Sequence, residues 1–246
     1  MIIRTLTGTT ALALLLATGQ AWAQDTVRMG SEGAYPPYNF INDQNELDGF
    51  ERELGDELCA RADLTCEWVI NDWDTIIPNL VSGTYDTIMA GMSITEARME
   101  VIAFTQDYFP PDPSAYIALA DADPSVIESG VVAAQSNTIQ SGAVAETGAD
   151  LLEFPTPDDT IAAVRNGEAD AVLADKAFLA PFVEESGGEL VFIGDDIYLG
   201  LGIGLGTRQE DEALRARFDA AIDSMKADGS LNTLLQKWFG DDIALY

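Results

Sequence analysis

Apolar positions along this chain fall into two alternating rhythms. Residues 27–29 read as a strand, and Phe50, Leu54, Leu58 and Ala62 then recur every four residues, which marks one face of a helix. In "CEWVI" the period drops to two and puts Cys66, Trp68 and Ile70 on one side of a strand. Trp73, Ile77, Leu80 and Val81 predict a second helix, and residues 86–90 the next strand. This alternation predicts parallel strands joined by crossover helices.

After the proline-rich "YFPPDPSAY" a second set follows. Strands are predicted at 115–119, 131–134, 170–174 and 190–193, and helices around 139–146, 158–166 and 176–185. Two amphipathic stripes close the chain, one of Leu214, Phe218, Ile222 and Met225, the other of Leu231, Leu234, Leu235 and Trp238. The two sets also echo each other. "NLVSGTYDTIMAG" and "AAVRNGEADAVLAD" share one layout of helix end, glycine, two residues, aspartate and apolar strand. Gly83 then matches Gly167, Asp86 matches Asp170, and Gly91 and Asp175 end corresponding strands. In open α/β sheets ligands bind beyond the carboxyl ends of the strands, so two such lobes would present a cleft between them.

Composition narrows the chemistry. Arg4, an apolar run at 11–17 and Ala21-Trp22-Ala23 have the form of a secretory signal peptide, with cleavage expected after Ala23. An uncleaved tether is the alternative. The run is too short to span a bilayer, so the mature chain is expected to be exported and soluble, in the periplasm. The two cysteines, Cys59 and Cys66, lie close in sequence, and an oxidising compartment favours pairing them, with two free buried thiols as the alternative. The chain holds no histidine, which excludes Ser-His-Asp and Cys-His catalysis. Forty-two acidic residues against 12 basic give a net charge of -30, a field that repels nucleic acid and anionic membranes. No cofactor or metal is expected.

One stretch concentrates candidate chemistry. In "DTIMAGMSITEARMEVIAFT" a strand end is followed by the small pair Ala90-Gly91, a hydroxyl at Ser93, and Arg98 on the first turn of a helix begun at Thr95. Small residues allow close approach to the backbone, and helix starts expose unsatisfied N–H groups. Taken alone, Arg98 reads as a surface ion pair with Glu96 or Glu100, which contributes little.

With "EGAYPPYNF", "LDGFERELGDELC", "NDWDTIIPNLVSGTYDTIMAGMSITEARMEVIAFT" and "ADGSLNTLLQKWFG" in that order, the chain resembles the family 3 periplasmic solute-binding proteins of polar amino acid ABC transporters. The lysine/arginine/ornithine-, histidine- and opine-binding branch is the most similar. The resemblance spans nearly the whole mature chain, and "MSITEAR" and the cysteine spacing are its specific features. In the second half the family's usual "GVQxGT" stands as "VVAAQSNT" at 131–138, with Ser136 where glycine is usual.

The resemblance implies an α/β, two-lobed periplasmic binding protein fold of type II. Each lobe would be a mixed sheet flanked by helices, with the ligand in the interlobe cleft. Residues 24–109 plus 206–246 would form the first lobe and 114–201 the second, with hinge crossings at 110–113 and 202–205. It also implies roles. Arg98, with the Ala90, Gly91 and Ser93 loop, would hold an α-carboxylate, and Asp175 in the other lobe the α-ammonium. Thr138 would donate to the carboxylate, a role compatible with a simple helix N-cap. Tyr35 and Trp73 would sandwich the ligand side chain, with core packing as the alternative. Glu32 would face a cationic side chain, or else be a solvated acid at the cleft mouth. Tyr38 and Phe40 are assigned to the core.

The expected function is a substrate-binding component of an ABC importer. It would bind a polar, cationic L-amino acid by hinge closure and deliver it, as a monomer, to a permease in the inner membrane. It is not expected to be an enzyme. An arginine-derived opine as ligand, and a periplasmic dehydratase-like activity on the same fold, are the alternatives.

Overall fold

The computed structural model describes residues 26–246; the segment 1–23 expected to be a signal peptide lies outside them. β1 (Thr26–Ser31) leads into a small antiparallel sheet of β2 (Ala34–Tyr35), β3 (Asn39–Ile41) and β4 (Leu47–Asp48). Then come α1 (Phe50–Arg61), β5 (Thr65–Ile70), α2 (Trp73–Val81), β6 (Thr87–Ile88), α3 (Glu96–Met99) and β7 (Ala103–Phe109). The next stretch holds β8 (Pro113–Leu119), α4 (Val126–Ser129), β9 (Val131–Gln135), α5 (Ile139–Ala145), β10 (Asp150–Phe154), α6 (Pro157–Asn166), β11 (Ala171–Asp175), α7 (Lys176–Glu185) and β12 (Leu190–Tyr198). β13 (Ile203–Thr207), α8 (Glu212–Asp228) and α9 (Ser230–Phe239) complete the chain.

Two five-stranded sheets carry the fold. The first has the order β5-β1-β6-β13-β7 and the second β10-β9-β11-β8-β12. In each, the first three strands run parallel and the last two pair antiparallel, so both lobes are mixed rather than wholly parallel. The internal echo has a structural basis in this common layout. Asp86 just before β6 accepts the Arg28 backbone N–H of β1 at 3.0 Å, and Asp170 just before β11 accepts the Val131 N–H of β9 at 2.8 Å. Gly83 and Gly167 both take left-handed backbone angles, φ 81° and 75°, just beyond α2 and α6, where a side chain would be strained. The strand ends that follow are therefore equivalent places in two similar lobes.

The first sheet packs on the expected helix faces. Phe50, Leu54 and Leu58 of α1 are fully buried, as are Phe218, Ile222 and Met225 of α8 and Leu231 and Leu235 of α9. Some positions differ. The buried face of α2 runs through Trp73, Ile76 and Leu80, while Val81 is 51% exposed. Ile70 is 49% exposed, because β5 lies at a sheet edge and its outer end meets water on both faces. Phe40 is half-buried, edge-on to Trp238, whereas Tyr38 is fully buried.

The chain passes between the sheets at 110–112 and at 199–202. Residues 203–205, expected in the second crossing, pair within the first sheet as part of β13. In this central strand Gly204 and Gly206 make room for Ile94, Ile102 and Ile88.

Cys59 and Cys66 form a disulfide that ties the last turn of α1 to the edge strand β5. Closing so short a loop stabilises the fold by about 2–3 kcal/mol in the chain-entropy account. Reduction is expected to lower unfolding stability by that amount without abolishing the fold, as read from urea titrations with and without reductant.

Candidate functional site

A cavity of about 20 Å³ lies between the two sheets, where the carboxyl ends of β1, β6, β9 and β11 converge. Glu32, Tyr35, Trp73, Ala90, Gly91, Ser93, Arg98, Thr138 and Asp175 all line it. The structure thus gathers every sequence-predicted site residue at one place. It adds Gln135, Ile139 and Gln140, which sequence reasoning missed.

Arg98 sits on α3, a single turn capped by Thr95, whose hydroxyl accepts the Arg98 backbone N–H at 3.2 Å. Its guanidinium donates to the Ser93 carbonyl at 2.9 Å and to the Asn137 carbonyl, across the cleft, at 3.3 Å. It also lies 5.3 Å from the centre of the Trp73 ring. No carboxylate among the described residues is within ion-pair distance of it. Loss of water holds its pKa down to about 10, opposed by the charge of Asp175, so it stays protonated at neutral pH.

Asp175 ends β11 and precedes α7. Its carboxylate accepts the Tyr35 hydroxyl at 2.8 Å and the Gln140 amide at 3.1 Å. Burial pushes its pKa up, and these two donors counter that only in part. The Tyr35 ring stacks on Phe178 of α7, centres 4.3 Å apart and planes nearly parallel at 10°. Tyr35 and Trp73 therefore both face the cavity, but each is engaged with another group.

Glu32 follows β1 and is 9% exposed. Its carboxyl accepts the Gln135 side-chain amide at 2.6 Å from the opposite lobe. Desolvation raises its pKa to about 7, opposed by the Gln135 bond and reinforced by the charges of Asp72, Asp74 and Glu51. It is thus a buried acid with a neutral partner, the environment that a cationic group would relieve.

The loop between β6 and α3 is held from behind. Gly91, at φ 61°, donates its N–H to Glu51 at 2.7 Å; Glu51 is fully buried and also accepts from Asn39 at 2.6 Å and from the Tyr108 hydroxyl. The backbone N–H groups expected to face a ligand carboxylate are in part committed. Gly91 gives to Glu51, Ile94 to the Gly202 carbonyl and Arg98 to Thr95. Thr138 caps α5, accepting the Ser141 N–H at 3.1 Å and donating to the Gln135 carbonyl at 2.7 Å. At the cleft rim the Ser136 hydroxyl and the Asn137 amide both donate to Asp74 of α2, at 2.7 and 2.8 Å. Gln135 and Gln140 carry no sequence signal by charge. Gln135 could have been found by the strand-end rule that found Asp175, since it closes β9.

The sequence profile of the bacterial extracellular solute-binding proteins, family 3, matches residues 27–241. The chain is 32% identical to the octopine-binding periplasmic protein of Rhizobium meliloti over 94% of this chain and 96% of that protein. It is 30% identical to the L-arginine-binding protein of Pseudomonas aeruginosa, over 95% of each. Among solved structures, a periplasmic His/Glu/Gln/Arg/opine family-binding protein from Silicibacter pomeroyi in complex with lysine is 68% identical. It superposes with a TM-score of 0.86 over 89% of this chain and all of that one.

The Glu32 environment generates a pH dependence. A cationic group entering the cavity favours the carboxylate, so it lowers the Glu32 pKa from about 7 and releases a proton. Affinity for a cation is therefore expected to rise with pH between about 6 and 8, and to fall as Glu32 becomes protonated. Calorimetry at neutral pH in two buffers of different ionisation enthalpy should show net proton release for a cation and none for glutamine.

Proposed function

The chain belongs to the bacterial extracellular solute-binding proteins of family 3, and from that premise we propose that it is the substrate-binding component of an ABC importer for a cationic L-amino acid. The observation that carries this reading is the state of Arg98 and Asp175. They line one cavity from opposite lobes with opposite charges, and each is satisfied only by neutral groups. A zwitterion supplies what both lack, a carboxylate for the guanidinium and an ammonium for the aspartate. Glu32, with its raised pKa, adds a place for a cationic side chain, and Trp73 and Tyr35 offer aromatic faces to it. The lysine held by the 68% identical structure supports the same ligand class.

Binding couples to closure. Arg98 and Asp175 reach the ligand together only when the lobes are shut, so the ligand stabilises the closed state over the open one. The crossings 110–112 and 199–202 would serve as the hinge, between a first lobe of 26–109 plus 203–246 and a second of 113–198. With Tyr35 docked on Asp175, about 20 Å³ admits a water and no amino acid, so entry requires the lobes to part and Tyr35 to swing away. The rim contacts of Ser136 and Asn137 to Asp74 would latch the closed form. Export to the periplasm, a monomeric state and delivery to an inner-membrane permease complete the proposal. A binding role rather than catalysis is supported by the family match and by the binding proteins among its relatives.

Arg98→Ala is expected to weaken every amino acid ligand by about 3 kcal/mol, roughly a hundredfold. Retained micromolar affinity in a calorimetric titration would sink the carboxylate assignment. Glu32→Gln is expected to weaken lysine and arginine by tenfold or more at pH 8 while leaving glutamine within about threefold. Equal losses for both classes would mean that Glu32 does not sense side-chain charge.

A further inference from the structure

A second, smaller cavity adjoins the first through Asp175 and Ser93, which line both. It sits between the crossing segments, with Pro110 and Asp112 on one side and Leu199 and Gly202 on the other, and Tyr38 forms part of its wall. Its volume is about 10 Å³, room for one water-sized group. The wall cannot easily retreat. Gly202 has φ 91°, and a side chain there would come within 2.7 Å of the Phe109 carbonyl and 3.4 Å of Pro111, so the second crossing lies close against the end of β7 and the first crossing.

Two groups in this cavity lack partners. Tyr38 is fully buried and its hydroxyl has no hydrogen-bond partner. Asp112 makes no hydrogen bond or ion pair with any described residue, and Lys176, the cation that acts on it, is bound to Asp196 at 2.7 Å. The charges of Asp175 and Asp112, and less strongly that of Glu51, also act on the Tyr38 hydroxyl. A buried hydroxyl and a half-buried carboxylate without partners mark a place where a small hydrogen-bond donor belongs.

We propose that this cavity reads substitution on the ligand's α-nitrogen: it accommodates an unsubstituted ammonium held on Asp175 and rejects a nitrogen carrying a carboxyalkyl group, so the protein takes free basic amino acids and excludes the opines built from them. The inference rests on the proposed placement of the α-ammonium at Asp175. A primary ammonium has three N–H donors, more than Asp175 alone can accept while it also receives Tyr35 or Gln140. Asp112 and Tyr38 supply further acceptors at the next position. A carboxyalkyl substituent fails there twice. It brings several heavy atoms into space for one, and it sets a carboxylate beside two aspartates. Asp112 thereby acts as a specificity-determining residue.

The test is a calorimetric titration of the ligand-stripped mature protein with L-lysine, Nα-methyl-L-lysine and Nα-(1-carboxyethyl)-L-lysine. The expected result is lysine binding, a loss of tenfold or more on Nα-methylation, and a loss of a hundredfold or more on carboxyethylation. Asp112→Asn should narrow the gap between lysine and the carboxyethyl derivative by tenfold or more. Carboxyethyl-lysine binding within threefold of lysine would overturn the proposal, as would an unchanged gap in an Asp112→Asn protein that still binds lysine. If that variant does not fold, the comparison of lysine with its carboxyethyl derivative on the native protein decides alone. A native protein that binds none of the three contradicts the amino acid reading itself.

Discussion

Two opposite charges share one cavity here without neutralising each other. Arg98 is tied to carbonyls of Ser93 and Asn137, and Asp175 to the Tyr35 hydroxyl and the Gln140 amide. A direct ion pair would have filled both needs and left nothing for a ligand. Neutral partners hold each group in place while keeping its charge available, which is the condition for strong, oriented recognition of a zwitterion. The depressed pKa of Arg98 and the raised pKa of Asp175 are signs of this arrangement, since each charged form is short of solvation.

The fold makes this possible by repeating one layout. Both sheets place a short central strand beside a parallel neighbour, begin it with an aspartate on that neighbour's backbone, and end it at the cleft. Gly91 and Asp175 are thus equivalent strand ends facing each other from two lobes. The first lobe then fixes its loop with Glu51, a fully buried acid that binds the Gly91 N–H, Asn39 and Tyr108. Asn39 in turn accepts the Gly33 N–H at 2.7 Å, so the turn after Glu32 and the loop before Arg98 are braced by one network. Glu32 and Arg98, the proposed readers of side-chain charge and of the carboxylate, are positioned together.

Much of this was legible in the sequence because it depends on local rules. The helix faces of α1, α8 and α9 follow from periodicity, and the repeated glycine–aspartate spacing pointed to two strand ends before any contact was known. All nine expected site residues line the cavity because strand ends converge in open α/β sheets. What the sequence hid depends on partners. Ile70 and Val81 look like core residues, but their exposure is decided by the edge position of β5 and by the turn of α2. β7 and the edge strand β10 show no strong alternation, and β7 pairs with β13, a strand far away in sequence. Residues 203–205, expected in a hinge crossing, belong to a central strand in which Gly204 makes room for the Ile94 side chain. Gln140 and Phe178 became visible only through the groups they touch, Asp175 and Tyr35.

The most direct test of the account is whether the cavity demands both ends of a zwitterion. Calorimetric titration of the ligand-stripped protein should compare L-lysine with cadaverine, which lacks the carboxylate, and 6-aminohexanoate, which lacks the α-ammonium. The account predicts that lysine binds and that each analogue loses a hundredfold or more, because each leaves Arg98 or Asp175 unanswered. Binding of either analogue within threefold of lysine would contradict it.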